Sequence, residues 1–443
     1  MNLFIKNGYV LTLNQYNQVI SNGGILISDD KIQEINPSSE IENKYSDIDK
    51  IIDAKGRIVM PGFICAHMHF YSTFACGMPL PPFPKGFVNV LENLWWKLDK
   101  ALRKEEIYYS ALLGYIEAVQ NGTTTMIDHH ASPSFVTGSL NEIEKAAREL
   151  GVRSSLCYEV TDRNGHEEAE EGLKENRRFI EKCQKSNDDM MQGLVGLHAS
   201  FTLEPETMEG AQAIVEDLNS GVHIHVAEGK ADMEDARRKY NMTVIERLKK
   251  YQLLNPKTVL AHCIHIEDKD YKIIKESKPN ISHQPRSNMN NAVGCMNIFK
   301  FKEHEIPVGL GTDGMSTDMK DELIVANLIH KHVQQDNTIG TMEVYEALFK
   351  VNPQIVKNVM DVNTGSLVVG KKADIVVTDY YPKSQINSNN VLGHIMFGVL
   401  NASIATTIIN GRICMEEHQI PGIDLKTVSD KCQQLAIKIW DRI

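Results

Sequence analysis

Apolar and polar residues alternate in short runs over residues 1–60, where LFIKNGYVLTL, GGILISDDKIQEI and KIIDAKGRIVM are separated by Gly, Asn and Asp. Period two between turn residues predicts β-strands joined by tight turns. The texture returns near the other end, in GSLVVGKKADIVVTDY and ASIATTIINGRICME. The two ends are therefore expected to pair into one small β-sandwich domain, residues 1–60 with 365–425, followed by a C-terminal helix over 426–443. Residues 61–364 read differently: eight short apolar, β-branched-rich runs alternate with stretches of helical period such as YYSALLGYIEAVQ and SLNEIEKAAREL. The runs are GFICAHMHF, TTTMIDHH, VRSSLCYEV, MQGLVGLHAS, GVHIHVAEG, TVLAHCIHI, KPNISHQP and IPVGLGTDG. Eight strands alternating with helices predict an α/β fold, a (β/α)8 barrel, in which catalytic groups gather at the C-terminal ends of the strands. An open doubly wound sheet would want a glycine-rich phosphate turn after an early strand, and the chain has none.

At 443 residues the chain exceeds what one core usually fills, which agrees with a barrel plus an appendage. The net charge of −11, without a basic stripe, excludes nucleic acid as an expected partner and leaves a small molecule. The opening MNLFIKNGYVLTLN lacks a signal peptide's continuous apolar region, and no apolar run is long enough for a bilayer, so a cytoplasmic protein without membrane contact is expected. Eight scattered cysteines without a C-x-x-C pair argue against a thiolate zinc knuckle or a disulfide scaffold.

Candidate chemistry concentrates at the ends of the predicted strands. His67 and His69 form an H-x-H pair whose spacing puts both rings on one strand face. His225 ends the fifth run, His262 lies in the sixth, and Asp313 ends the eighth in GTDG. Imidazoles with a carboxylate suit Zn²⁺ or another borderline divalent ion with an open position for water. Glu228 follows His225 by three residues, so it can face the same site only if the strand turns at Ala227 or Glu228. His223 shares the inward face with His225 but lies deeper, where a supporting place is expected. At most one of the adjacent His129 and His130 is expected to reach the pocket, and His130 is assigned to substrate contact. Arg286, after the seventh run, is a second substrate candidate; Glu159 and Arg163, after the third, are weaker ones. Trp95 and Trp96 diverge by about 100° on a helix, so ordinary packing is expected for at least one of them.

PGFICAHMH, GLHASF, HIHVAEG, AHCIHI and GTDG, in this order between two β-rich ends, resemble the amidohydrolase superfamily, in its cytosine/adenosine deaminase-related, chlorohydrolase-like branch. DHHASP, CYEVTDRNG and QPRSNMNNAVG bring the chain nearest to the aminohydrolase SsnA group. The resemblance covers essentially the whole chain and implies a distorted TIM barrel with the β-sandwich from both termini. It also implies one divalent ion on His67, His69, His225 and Asp313, with Zn²⁺ the default and Fe²⁺ or Mn²⁺ alternatives. His262 and Asp313 would help deprotonate the attacking water, Glu228 would carry a proton to the substrate nitrogen, and His198 would steady substrate. Members with two metals need a lysine at the end of the fourth strand, where this chain has His198. A homo-oligomer, dimer or larger, is a further family expectation.

The function expected is that of a metal-dependent aminohydrolase, deaminating a small heterocyclic amine such as a purine or pyrimidine. Hydrolysis of a cyclic amide or chlorohydrolase-type displacement is the alternative within hydrolases. A non-enzymatic scaffold is the alternative outside them, and it would be expected to have lost ligands that this chain retains.

Overall fold

The computed structural model describes residues 1–80, 82–186 and 188–443. The β-rich ends hydrogen-bond into a single eight-stranded sheet. Across it run Arg412–Met415, Ile404–Ile409, Ile375–Thr378, Ile58–Pro61, Asn2–Leu11, Val19–Ser28 and Lys31–Pro37, with Lys50–Asp53 beside Asn2–Leu11. Ile375–Thr378 lies antiparallel to Ile58–Pro61, which joins the two chain ends. Period two sorts the side chains by face: Leu3, Ile5, Ile25 and Ile27 close one core with Val377 and Ile408. Phe4 and Leu26 turn the other way, onto Ile41 of the helix Ser38–Lys44.

The middle of the chain folds into two arcs of parallel strands. One holds Phe63–Met68, Thr123–Asp128, Arg153–Leu156 and Met191–Gly193; the other holds Val195–Ala199, Val222–Val226, Val259–His262, Asn280–His283 and Val308–Leu310. The fourth predicted strand is thus divided at Leu194, its first half pairing with the third strand and its second with the fifth. Nearly every residue of these strands is buried, as expected where helices cover a parallel sheet from outside. Among those helices are Lys104–Asn121 and Ser139–Leu150, each ended by a glycine in left-handed conformation, Gly122 and Gly151. The result is a distorted, TIM-barrel-like domain with a sheet domain built from both termini. No described helix is long and apolar enough to cross a membrane.

The seams between the arcs are crossed by a few backbone hydrogen bonds. At one, Val160 N donates to Gly196 O (3.1 Å) and His198 N to Val160 O (2.9 Å); at the other, Thr312 N and Asp313 N both donate to His67 O (2.9 and 3.0 Å). Each seam has a glycine where the chains approach most closely. A Cβ on Gly196 would stand 2.2 Å from Tyr158 O, and one on Gly311 would stand 2.6 Å from His67 N and O. The first glycine of GTDG is therefore a spacing requirement of the barrel. The last helix, Leu425–Trp440, braces the segment after the first barrel strand through Trp440 Nε1, which donates to Phe74 O at 3.0 Å.

Gly196→Ala is expected to destabilise the protein by about 1–3 kcal/mol, the usual range for overpacking, because backbone rather than a flexible side chain must give way. The urea midpoint followed by tryptophan fluorescence checks this, and an unchanged midpoint would show that the seam tolerates a methyl group.

Candidate active site

His67 and His69 leave the end of the first barrel strand on the same side, His225 comes from the fifth, and Asp313 follows the eighth. The four side chains are buried and form a group whose ligand atoms all lie within 4.8 Å of one another, close enough to hold one metal ion. Asp313 Oδ1 is 2.9 Å from His69 Nε2 and 3.5 Å from His67 Nε2. His69 Nε2 and His225 Nε2 stand 3.1 Å apart.

The opposite edges of those two rings decide what this contact means. His69 Nδ1 lies 2.5 Å from His129 O, and His225 Nδ1 lies 2.8 Å from His198 O. A carbonyl only accepts, so both Nδ1 atoms carry protons, and in the neutral rings both Nε2 atoms present bare lone pairs to each other. That arrangement wants a cation between them, and backbone carbonyls holding the far nitrogen are the usual support of a metal-ligating histidine. A proton competes for the same place. Burial opposes charge on His69, but its hydrogen bond to Asp313 and that carboxylate's charge, with help from Glu159, raise its pKa to about 9. His67 is neutralised by burial, its pKa lowered to about 3, and its Nδ1 lies 2.8 Å from Nε2 of the deeper His223.

A second group overlaps the first, formed by Glu228, His262 and Asp313. The fifth strand ends at Val226, and Ala227 takes a left-handed φ of 48°, which brings Glu228 round to the side of His225. Asp232 pins this turn by accepting from Ala227 N at 2.9 Å and Phe201 N at 3.0 Å. His262 Nε2 faces Glu228 Oε2 at 3.5 Å and Asp313 Oδ2 at 3.9 Å, while its Nδ1 is held 2.8 Å from the side-chain amide of Asn288. The two carboxyl groups are driven apart. Burial and the neighbouring Asp313 charge push the Glu228 pKa well above the usual carboxylate range. Burial would do the same to Asp313, but hydrogen bonds from His67 and His69 and the nearby imidazole charges hold it well below that range.

The short helix Pro285–Asn290 and the Asn291 that caps it supply contacts not expected from the sequence. Ser287 Oγ donates to Asp313 Oδ2 (2.5 Å), Asn288 steadies His262, and Asn291 Nδ2 donates to Glu228 Oε1 (3.3 Å). Positions i, i+1 and i+4 of a helical turn share one side, so the polar run SNMNN after a buried strand was the available signal. Arg286, the residue singled out in that run, points elsewhere: its Nη1 donates to Ser316 Oγ at 3.0 Å, and Glu322 and Asp321 lie within 4.0 Å. It does not line the cavity above the four-residue group.

That cavity has a volume of about 60 Å³, and its wall includes His198, Glu159, Trp95, Trp96 and Phe201. His130 is absent from it: the ring is fully buried, with Nε2 2.9 Å from Ser132 Oγ. Its neighbour His129 lies behind His69, with Nε2 at 3.0 and 3.1 Å from two backbone carbonyls and Nδ1 3.2 Å from Glu159. Both nitrogens thus face acceptors, and His129 stands as the partner of a buried carboxylate. His198 and His129 hold Glu159 ionised against its burial. Both tryptophans line the cavity, contrary to the expected packing role for one; a π turn over Leu91–Trp95 alters the regular rotation between them. Arg163 is turned away, paired with Asp99 and set over the Trp96 ring at 4.9 Å.

The order and spacing of these groups agree with known proteins. The pattern of the amidohydrolase family matches residues 58–414. The chain belongs to the amidohydrolase family. It is a hydrolase acting on carbon–nitrogen bonds other than peptide bonds, and its buried His/His/His/Asp group is able to hold a metal ion. It is 30% identical to the 5'-deoxyadenosine deaminase of Methanobrevibacter smithii, over 98% of this chain and 97% of that one. It is 29% identical to the 5-methylthioadenosine/S-adenosylhomocysteine deaminase of Thermoanaerobacter pseudethanolicus, over 100% of both. Among solved structures, a zinc-bound adenosine deaminase from Xanthomonas campestris has the same fold, with a TM-score of 0.86, 19% identity and coverage of 99% and 98%.

Two outcomes follow from this geometry. Removing bound metal with a chelator is expected to lower the thermal unfolding midpoint, and added Zn²⁺ to restore it, since an ion that binds only the folded chain stabilises it by mass action; a midpoint indifferent to both treatments would contradict the site. Ser287→Ala is expected to reduce metal affinity or turnover by roughly 10–100-fold, whereas Arg286→Ala leaves both within a factor of about two. Metal titration and steady-state kinetics on the two variants decide between these positions.

Proposed function

We propose that this enzyme deaminates a 6-aminopurine nucleoside or a closely related heterocyclic amine by hydrolysis, with His67, His69, His225 and Asp313 holding one Zn²⁺. The observation that carries the proposal is the position of Glu228, buried 3.5 Å from His262 Nε2 with a raised pKa beside the ionised Asp313. A divalent ion in this setting lowers the pKa of water toward neutrality and supplies Lewis acidity.

The chain's own groups divide the proton work. Asp313, held anionic by its neighbours, and His262 accept from the attacking water. Glu228, the carboxyl group that keeps its proton most readily, donates that proton to the ring nitrogen; of the two protons taken from the water, one passes to the departing amine, so that ammonia leaves rather than an amide anion, and the other restores Glu228. The amine-bearing carbon gains the water oxygen and loses nitrogen, and no oxidant or reductant is needed. His198 and Glu159 offer polar contacts to the substrate's edges, and Trp95, Trp96 and Phe201 offer aromatic surface to a flat ring. The relatives named as deaminases of adenosine-type compounds support the choice of a purine. A homo-oligomer, dimer or larger, belongs to the same proposal, and light scattering on the purified protein tests it.

Ammonia release from adenosine, 5'-deoxyadenosine, free purines, pyrimidines and triazines, measured on protein with a determined metal content, tests the function. One compound class yielding ammonia with about one equivalent of active-site metal supports it; metal-loaded protein that releases none from any class refutes it. Glu228→Gln is expected to keep the metal and lose about 10²–10⁴ in kcat, and a variant with wild-type turnover would remove Glu228 from the mechanism.

A further inference from the structure

Outside the barrel, another group of metal-ligating side chains stands apart from the active site. His283 ends the seventh strand. Its neighbours Ser282 and Gln284 face inward, where their side chains bond at 2.7 Å and Gln284 Oε1 accepts from His262 N at 2.9 Å. Alternation along the strand therefore turns His283 outward. There its ring lies 5.1 Å from that of His330, on the helix Met319–Gln334, and His330 Nδ1 is 3.9 Å from Cys295 Sγ.

Among the described residues, neither nitrogen of the fully buried His283 has a hydrogen-bond partner, and His330 Nε2 has none either. Unpaired imidazole nitrogens are costly inside a protein, so something polar or cationic is expected beside them. Ligand atoms from His283, Cys295 and His330 all lie within 4.8 Å of one another. The 3.9 Å between nitrogen and sulfur is less than the sum of a zinc–nitrogen and a zinc–sulfur bond, ~4.4 Å, so one ion can bridge them with both bonds at normal length. A cavity of about 280 Å³ touches both histidines and reaches the Lys302–Glu343 ion pair at its rim, which provides an access route.

We propose that His283, Cys295 and His330 form a second metal site, selective for a thiophilic borderline cation such as Zn²⁺. Two imidazoles and one thiolate suit such an ion and disfavour Mg²⁺ or Ca²⁺, which prefer oxygen. Binding releases the thiol proton to solvent as the metal–sulfur bond forms. The ion would tie the seventh strand to the segment around Cys295 and the helix behind it. This inference does not depend on the reaction proposed for the barrel mouth.

Co²⁺ titration of the chelator-treated full chain tests it, because the barrel site has no sulfur ligand and only a cysteine site gives a near-ultraviolet thiolate-to-cobalt charge-transfer band. Wild-type protein is expected to bind two equivalents and show the band. His67→Ala/His69→Ala should lose one equivalent and keep the band, whereas Cys295→Ser should lose the band and one equivalent but retain deaminase turnover. Absence of the band at saturating Co²⁺, or its survival in Cys295→Ser, overturns the proposal. An independent readout needs no variant: Zn²⁺ should protect Cys295 from iodoacetamide while leaving the exposed Cys76 reactive, and equal labelling of Cys295 with and without Zn²⁺ overturns the site.

Discussion

Two imidazole edges that carry lone pairs cannot be left facing each other in a protein interior, and the mouth of this barrel is organised around that constraint. His69 and His225 are each locked from behind by a backbone carbonyl, so neither ring can turn away to relieve the contact. The carbonyls belong to His129 and His198, at the ends of the second and fourth strands. Ring orientation is thus set by strand register, and a shift of one residue in any of four strands would disturb it. The cation that the arrangement calls for is a product of backbone geometry as much as of side-chain identity.

The same packing separates two carboxyl groups that would otherwise titrate alike. Asp313 receives Ser287 and stands among imidazoles, whereas Glu228 has a single amide donor at 3.3 Å and an anionic neighbour. Environments that drive a pair of acids apart divide donor from acceptor within one site. The short helix Pro285–Asn290 and the Asn291 that caps it reach all three groups of this division, Asp313, His262 and Glu228, through Ser287, Asn288 and Asn291.

The strand ends also carry strain. Ala227, His262, Cys263 and Asp313 all adopt left-handed backbone, with φ between 48° and 71°, a region that costs a non-glycine residue about 1–3 kcal/mol. Each turn is held from outside by a specific acceptor or donor: Asp232 for Ala227, Gln284 for His262, and the His67 carbonyl for Asp313. These turns bring side chains that would otherwise alternate away from the axis onto one side of the site.

Periodicity and motif order were enough to read a barrel of alternating strands and helices, a sheet joining both termini, and the histidines and carboxylates that converge at the strand ends. Those features are local: a period of two or 3.6 and an H-x-H or GTDG spacing survive in the linear chain because each reports on one element. What only the tertiary structure decided is which of two adjacent residues faces the cavity once a strand has ended. His130 and Arg286 lie beside it without lining it, while Glu159, both tryptophans and Ser287 do line it. The reason is physical. Beyond Asp128 and His283 the regular alternation stops, and the direction of each side chain is set by hydrogen bonds to residues distant in sequence, such as His130 N to Cys157 O and Arg286 N to Glu322. Such contacts leave no periodic trace in the chain, and only the closed packing of strands, helices and turns selects among them.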